Sequence, residues 1–472
     1  MIAGVYLFIL VPLASAVVLF FLRRLQFITA IMAASMAGVL GVGAFWLPLD
    51  RAVELGGRQV ALGEPVTLLG RQLVMTAANR VELAAIFLMA AALFLLGARL
   101  GSGQLFFPLG MAVTGLLSAA LVIRPFVFSA LFLTIAALMA TILFQSSGQT
   151  RGAFRYLVLM TLALPAFMIA NWMIDSYQYN PTDAALPRSI MLALAGGFAL
   201  LLGVVPFHIW IRPSVEESSP VAAAFVLTVS NSVNWFLLLD VLQEYPWLVA
   251  QQDIFRILQL LGLLTAAVGA VLAFSSSDFS HVMGYGVVAD YGCTLVALGT
   301  RTSAGLSAVM LATVARPASL AVLALGIALA RERLGSSRFE KLAGQGWSNP
   351  WTTAALTAGG FSLAGIPPLA GFVGRWAQTR VLATAMPWYF IAVLGATLGV
   401  AAGALRGMDY LLQPPPESVM SPADRTRARE PRLMIVLVVL SLLLALAFGL
   451  FPGMIESAMR AVVSSYTFIS TP

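Results

Sequence analysis

The chain reads as a succession of long apolar runs, and this restricts it to a fold whose backbone is satisfied inside a bilayer. Residues 2–22, 26–48, 81–98, 105–123, 126–145, 153–174, 189–209, 220–242, 254–274, 279–299, 303–330, 351–384, 387–412 and 433–451 form the runs. At ~20 apolar residues per crossing helix they make about fourteen spans. With 60% of the 472 residues hydrophobic, 10% charged and a mean hydropathy of +0.93, too little polar surface remains to cover a soluble globule. The expected fold is therefore an all-α polytopic membrane protein of about fourteen transmembrane helices. The first run has no basic segment ahead of it and continues past Ala14-Ser15-Ala16 to Arg23 and Arg24, so it reads as a spanning helix and not as a removed signal.

Charge placement gives the direction of threading. With the N-terminus outside, the inner loops carry Arg23 and Arg24, Arg99, Arg151 and Arg155, Arg212, then Arg331, Arg333, Arg338 and Lys341, then Arg425, Arg427, Arg429 and Arg432. The opposite loops hold Arg51, Arg58, Arg71, Arg188 and Arg256, which leaves a positive-inside pattern. A multi-pass protein of the inner (cytoplasmic) membrane with both termini on the outer face is expected. The net charge of +7 is scattered over loop ends and forms no basic stripe with aromatics, so the lipid bilayer is an expected partner and nucleic acid is not. Cys293 is the single cysteine, which excludes an internal disulfide or a CxxC pair, and two histidines with no cysteine cluster leave no set for haem, zinc or iron–sulfur ligation. No metal site and no catalytic set is expected in this chain.

Two of the apolar runs are interrupted. Gly196-Gly197-Phe198-Ala199-Leu200 leads into VVPFHIW, and Gly359-Gly360-Phe361-Ser362-Leu363 leads into AGIPPLAGF. Unpaired amides find no water in a bilayer, so such breaks are tolerated where protein or a polar cavity meets them, and a pair in two halves of a chain points to an ion-translocation fold. Gly197, Pro206, Gly365, Pro367 and Pro368 are the expected broken-helix elements. Between spans, 51–80 partly alternates apolar and polar residues with glycine punctuation and suits a short surface hairpin. The proline-rich, charged stretch 413–432 reads as a cytoplasmic linker, and the tail after Phe451-Pro452 is mildly amphipathic, expected at the interface or against a partner.

Three motifs, PFHIWIRPSVEESSPVAAAF (206–225), DFSHVMGYGVVADYG (278–292) and SLAGIPPLAGFVGRW (362–376), together with AFRYLVL (153–159), resemble the antiporter-like subunits of respiratory complex I. That family also includes the Mrp sodium/proton antiporters, the membrane arms of energy-converting hydrogenases and some inorganic-carbon uptake complexes. The resemblance runs from about residue 100 to residue 412. It implies two inverted five-helix repeats, helices four to eight (105–243) and nine to thirteen (254–412), each with a broken helix at its centre. An N-terminal block of three helices (1–104) would precede them, and the last helix with its tail (433–472) would follow. The chain looks like the family's middle members, because nothing after Thr471 would supply the long lateral helix of the most distal one.

In working members the resemblance places a glutamate on the fifth helix, paired with a lysine on the seventh, a further lysine on the eighth, and an exit residue on the twelfth. The first three positions fall here on Ala136, Leu201 and Asn231 and are vacated. Helices five and seven contain no acid, and the one lysine, Lys341, lies in a polar loop, so a slip of register refills nothing. The second half keeps more. Arg316 in ATVARPASL matches a family lysine, Arg375 in GFVGRW matches the exit residue, and Asp290 adds an acid on the tenth helix. Ionisable groups at membrane depth are costly unless paired or hydrated, which makes all three proton-path candidates. Arginine is a poor proton carrier, so Arg316 and Arg375 are expected to have a structural pairing, with Asp290 as partner, or a surviving electrostatic role, ahead of the third alternative, a true proton relay.

His208, just after the first break, is the fourth candidate, with a helix-end hydrogen bond as the plainer alternative. Glu216 and Glu217, beside Ser218 and Ser219 and ahead of Pro220, suit capping of a helix start. His281 and Asp278 mark the entrance of the tenth helix. Asp240 and Glu244 read as interfacial, and Ser230 and Asn234 either line a water file or glue helices together. The resemblance implies an antiporter-like membrane-arm subunit of a complex I-like, proton-translocating quinone oxidoreductase assembly. Its proton path would be degenerate or modified, with a scaffold role as one possibility. Such a subunit holds no cofactor; flavin, iron–sulfur clusters and quinone would reside in partner subunits, among other membrane-arm chains. The alternatives are an Mrp-type cation/proton antiporter subunit, which the loss of lysines argues against, and a membrane subunit of an energy-converting hydrogenase or carbon-uptake complex.

Overall fold

The computed structural model describes residues 2–49, 53–55, 58–68, 70–145, 150–179, 185–250, 252–414 and 430–469. The apolar runs become helices because a helix satisfies its backbone internally, the one open arrangement a bilayer permits. In chain order they are α1 (Val5–Phe21), α2 (Gln26–Trp46), α3 (Ala77–Gly97), α4 (Phe106–Val122), α5 (Val127–Phe144), α6 (Arg151–Tyr179) and α7 (Leu186–Leu202). After the first break come a 3-10 turn (Phe207–Trp210) and α8 (Ile211–Glu217). The eighth span is α9 (Pro220–Phe225), a π-helical turn (Val226–Ser230) and α10 (Asn231–Glu244), followed by the short α11 (Pro246–Ala250). Then follow α12 (Gln252–Phe274), α13 (Phe279–Leu298), α14 (Ser303–Leu334), the short α15 (Phe339–Leu342), α16 (Pro350–Ala364), α17 (Ala370–Ala385), α18 (Pro387–Leu412), α19 (Arg432–Leu450) and α20 (Gly453–Ser465).

Burial sorts these helices into centre and rim. Every residue from Pro220 to Leu242 is buried within the chain and forms the middle of the molecule, whereas in Arg432–Leu450 Val438 and Ala445 are buried and most of the surface faces outward. α13, which carries Asp290, is locked to α12 by small residues: a methyl group added at Gly269 would strike Ala289, and one at Gly292 would strike the backbone of Ala266. Close backbone approach of this kind is how membrane helices gain dispersion contacts without a hydrophobic driving force.

Among the departures from the sequence expectation, three lie in the N-terminal block. The first helix starts at Val5, because Ile2–Ala3 form a strand, β1, paired parallel to Val60 and Ala61. The third starts at Ala77, where Thr76 and Asn79 form a capping box: the Asn79 amide donates to Thr76 Oγ1 at 3.1 Å and the Thr76 amide to Asn79 Oδ1 at 3.3 Å. That start adds Ala77–Arg80 to the run that holds Glu82. In place of one hairpin over 51–80 there are two, β2 (Val53–Leu55) with β3 (Arg58–Ala61) and β4 (Val66–Leu68) with β5 (Arg71–Leu73). Each recruits a third strand, β1 onto β3 and β6 (Ile123–Arg124) onto β5, so two small sheets accompany the helices. Of the linker expected over 413–432, residues 415–429 lie outside the described residues; Glu430 accepts hydrogen bonds from the amides of Trp351 at 3.0 Å and Thr352 at 2.8 Å and so caps α16.

Candidate functional site

The two interrupted spans break in the same way. After α7, Gly203 takes φ 64°, its amide donates to the Leu200 carbonyl, and the Val204 amide donates to the Ala199 carbonyl. After α16, Gly365 takes φ 85°, its amide donates to Ser362 and the Ile366 amide to Phe361. This pair of bonds is the Schellman ending, which needs a left-handed residue that glycine supplies at no steric cost. Peptides Val205–Pro206 and Pro367–Pro368 are cis. One offset relates Gly203 to Gly365 and Pro206 to Pro368, and it is one residue shorter than the offset aligning the two GGF sequences. Gly197 accordingly lies inside the regular part of α7, where its missing side chain admits the Phe167 ring; the helix ends at Gly203. GGF marks a packing contact, which is why it misplaced the break. The backbone freed by the first break is satisfied across the bundle: the Val205 amide donates to Thr265 Oγ1 at 3.2 Å, and Asn234 Nδ2 to the Leu201 carbonyl at 2.9 Å.

Beside the second break, α13, α14 and α17 bring Asp290, Arg316 and Arg375 together. Arg316 Nε donates to Asp290 Oδ2 at 2.6 Å and Arg375 Nη2 to Asp290 Oδ1 at 3.4 Å, with both arginine side chains buried. Around them Arg375 Nη1 donates to Gln378 Oε1 at 3.2 Å, Gln378 Nε2 to Thr294 Oγ1 at 3.2 Å, and Arg316 Nη2 to the same oxygen at 3.4 Å. The Arg316 guanidinium lies over the Tyr291 ring at 4.7 Å, and the Cys293 thiol faces Arg375. Two cations thus share one carboxyl, and Arg316 Nη1 and Arg375 Nε keep unmet donors. Asp290, Arg316, Ser319, Ser362 and Gly374 also border a cavity of about 10 Å³, close to the least that holds one water. Gly365 is required twice here: besides its φ, a Cβ at this position would meet Arg375 Cγ at 2.8 Å.

A link leads from this centre to the middle of the molecule. Tyr291 donates its hydroxyl to the Leu227 carbonyl at 2.7 Å. Leu227 lies in the π-helical turn just ahead of Asn231, and such turns expose carbonyls that an α-helix would consume.

The first half presents another picture. Ala136 and Leu201 are buried in the apolar core, and Asn231 is buried with its Oδ1 unpartnered, as are the hydroxyls of Ser129 and Ser230. Asn234 acts as polar glue through its bond to Leu201. Leu194, Phe198, Leu202, Leu238 and Leu258 border a cavity of about 30 Å³ whose lining is apolar, the kind that stays dry. His208 sits half-buried on the 3-10 turn with Nδ1 unpartnered and meets none of the other three candidates. The acids expected to cap α9 do other work: Ser219 caps α9, Glu217 accepts from the Gly152 amide at 2.8 Å at the start of α6, and Glu216 pairs with His281 at 3.3 Å. Asp278 caps α13 through the Ser280 amide at 2.7 Å.

Asp240, near the end of α10, is buried and accepts from Arg124 Nη2 at 2.8 Å and Asn79 Nδ2 at 3.2 Å, with Tyr466 Oη 3.2 Å from its Oδ1. Glu82, buried one turn along α3 from Asn79, accepts from the same two groups, at 3.0 Å from Asn79 and 2.7 Å from Tyr466. Glu244 stands 3.9 Å from Arg124. The register of β6 on β5 is what holds Arg124 here. The capping signal Thr76-x-x-Asn79 was the sequence clue to Glu82; nothing local announced Tyr466.

Comparison with known proteins agrees with this architecture. Residues 185–401 match the family described as NADH:quinone oxidoreductase/Mrp antiporter, transmembrane. NADH-quinone oxidoreductase subunit N of Chromohalobacter salexigens is 28% identical over 343 residues, covering 68% of this chain and 70% of that protein. Among solved structures, a chain of the Mrp complex from Dietzia superposes with a TM-score of 0.82 at 17% identity, covering 98% of this chain and 97% of that one. A chain of respiratory complex I from Thermus thermophilus superposes with a TM-score of 0.78 at 19% identity, covering 99% and 100%. The paired breaks, the family match over 185–401 and these relatives together support an antiporter-like membrane subunit of the NADH:quinone oxidoreductase/Mrp antiporter type.

Proposed function

We propose that this subunit works in the membrane arm of a complex I-like proton-translocating quinone oxidoreductase assembly and contributes one charged centre where two are usual. Flavin, iron–sulfur clusters and quinone belong to partner subunits in this reading, and this chain carries no redox step. The observation that carries it is the buried Asp290–Arg316–Arg375 centre at the second break, set against Ala136, Leu201 and Asn231 in the first half. A guanidinium keeps its charge, so Arg316 and Arg375 hold two fixed positive charges against the one Asp290 carboxyl. The two arginines therefore set the electrostatic potential at Asp290 and at the adjoining water-sized cavity, and the centre acts as an electrostatic element of transport. The name shared by relatives, NADH-quinone oxidoreductase subunit N, supports this choice over an Mrp-type antiporter, as does the absence of lysine from every span.

The matching Schellman endings support two inverted repeats over 105–243 and 254–412. The arginine distribution supports an inner-membrane location with both termini outside. The test is Arg375→Ala in the assembled complex: fewer protons moved per turnover are expected, and an unchanged ratio would leave the subunit as a scaffold. Purification of the tagged chain from native membranes, with mass spectrometry of what co-migrates, is expected to recover flavin and iron–sulfur subunits. Recovery with only antiporter-like or carbon-uptake partners would overturn the assignment.

A further inference from the structure

The polar cluster at the outer ends of α3 and α10 serves neither break nor the second-half centre. It holds three carboxyls, Glu82, Asp240 and Glu244, against one cation, Arg124. Its cover comes from the other end of the chain. α20 buries Met459 and Val462, and the residues after it bury Tyr466, Phe468 and Ile469. Gln243 fastens this segment: its Oε1 accepts from the amides of Thr467 at 2.8 Å and Phe468 at 3.2 Å, and its Nε2 donates to Thr467 Oγ1 at 2.8 Å.

Tyr466 has two distinct positions to fill. Its hydroxyl lies within hydrogen-bond reach of both Glu82 and Asp240, and burial beside those carboxyls holds the phenol well above its usual range, so it remains a proton donor to them. The same residue is shared by two cavities. One, of about 310 Å³, is lined by Thr76, Arg124, Asp240, Gln243 and Glu244; the other, of about 540 Å³, by Ser303, Ser307, Arg460, Ser464 and Thr467. Tyr466 is thus the partition between a chamber that reaches Asp240 and one bordered by the polar residues of the tail.

We propose that residues 453–469 form a strap that gates water access to the Glu82–Asp240 pair, with Tyr466 as the latch and Gln243 as its anchor. Closed, as in this structure, the strap seals Glu82 and covers most of Asp240, which only borders the first cavity; with the latch released, the two cavities join and both carboxyls meet water freely. The inference goes beyond the proposed function and is independent of the second-half centre, so either can fail without the other.

The test is labelling of native membranes with a water-soluble carbodiimide and glycine ethyl ester, read at Glu82, Asp240 and Asp290 by peptide mass spectrometry. Tyr466→Phe keeps the ring and removes the latch; Gln243→Ala removes the anchor and touches neither carboxyl. Each is expected to raise labelling of Glu82 and Asp240 about tenfold, the scale of losing hydrogen bonds to a charged group, with Asp290 unchanged. Should Tyr466→Phe fail to fold, Gln243→Ala gives the same reading. Unchanged labelling at Glu82 and Asp240 overturns the strap, and so does an equal rise at Asp290, which would mean general loosening.

Discussion

Asp290 is the residue on which the second-half centre depends. It balances one of two guanidiniums that are otherwise sealed from water, and removing one partner of a buried ion pair costs about 3–5 kcal/mol because the remaining charge stays buried. Asp290→Asn should therefore lower the unfolding temperature of the detergent-purified protein. Combining it with Arg375→Gln should recover part of the loss, since the double change removes a cation as well. If the double variant unfolds at or below the temperature of Asp290→Asn, the pairing is not what stabilises the centre. The residues of this centre were legible from their type and depth alone, because ionisable groups in apolar runs must find partners. The burial of Asp240 was not legible, because part of its cover is Tyr466, 226 residues further along the chain.

At the level of elements, the breaks are specified by one glycine each, and the two glycines are not equivalent. Alanine at Gly203 meets Trp210 Nε1 at 3.2 Å, so Gly203→Ala should cost about 1–2 kcal/mol, the penalty for a side chain in the left-handed region. Alanine at Gly365 carries the same penalty and also strikes the Arg375 side chain. Gly365→Ala should therefore destabilise more, as thermal unfolding would report, and should lower proton transfer in the assembled complex, whereas Gly203→Ala should leave transfer largely intact. The existence of both breaks followed from glycine and proline in apolar runs. So did the places of Pro206, Gly365, Pro367 and Pro368, whereas Gly197 lies inside α7, because the GGF sequence reports side-chain packing and the hydrogen-bond pattern reports where a helix ends.

At the scale of the whole molecule, the two halves are tied at the face opposite the strap by Arg331 of α14. It donates to the carbonyls of Ser218 at 2.8 Å and Val215 at 2.9 Å and to Ser280 Oγ at 2.8 Å, joining α8 to the start of α13. Arg331→Gln is expected to speed amide exchange over residues 211–219 about tenfold, as measured by hydrogen–deuterium exchange, while the α13 interior keeps its protection. The chain by itself determined the helix number, the two interruptions and the lack of any lysine in the spans. These follow from transfer of short segments into a bilayer, a property each segment has alone. Tertiary structure decided which polar groups meet: Arg375 with Asp290, Tyr291 with the π-turn, and Tyr466 with Glu82. In an apolar medium such groups must find one another, yet which ones do is fixed by the packing of small-residue helix faces and by a distant tail, neither of which local sequence encodes.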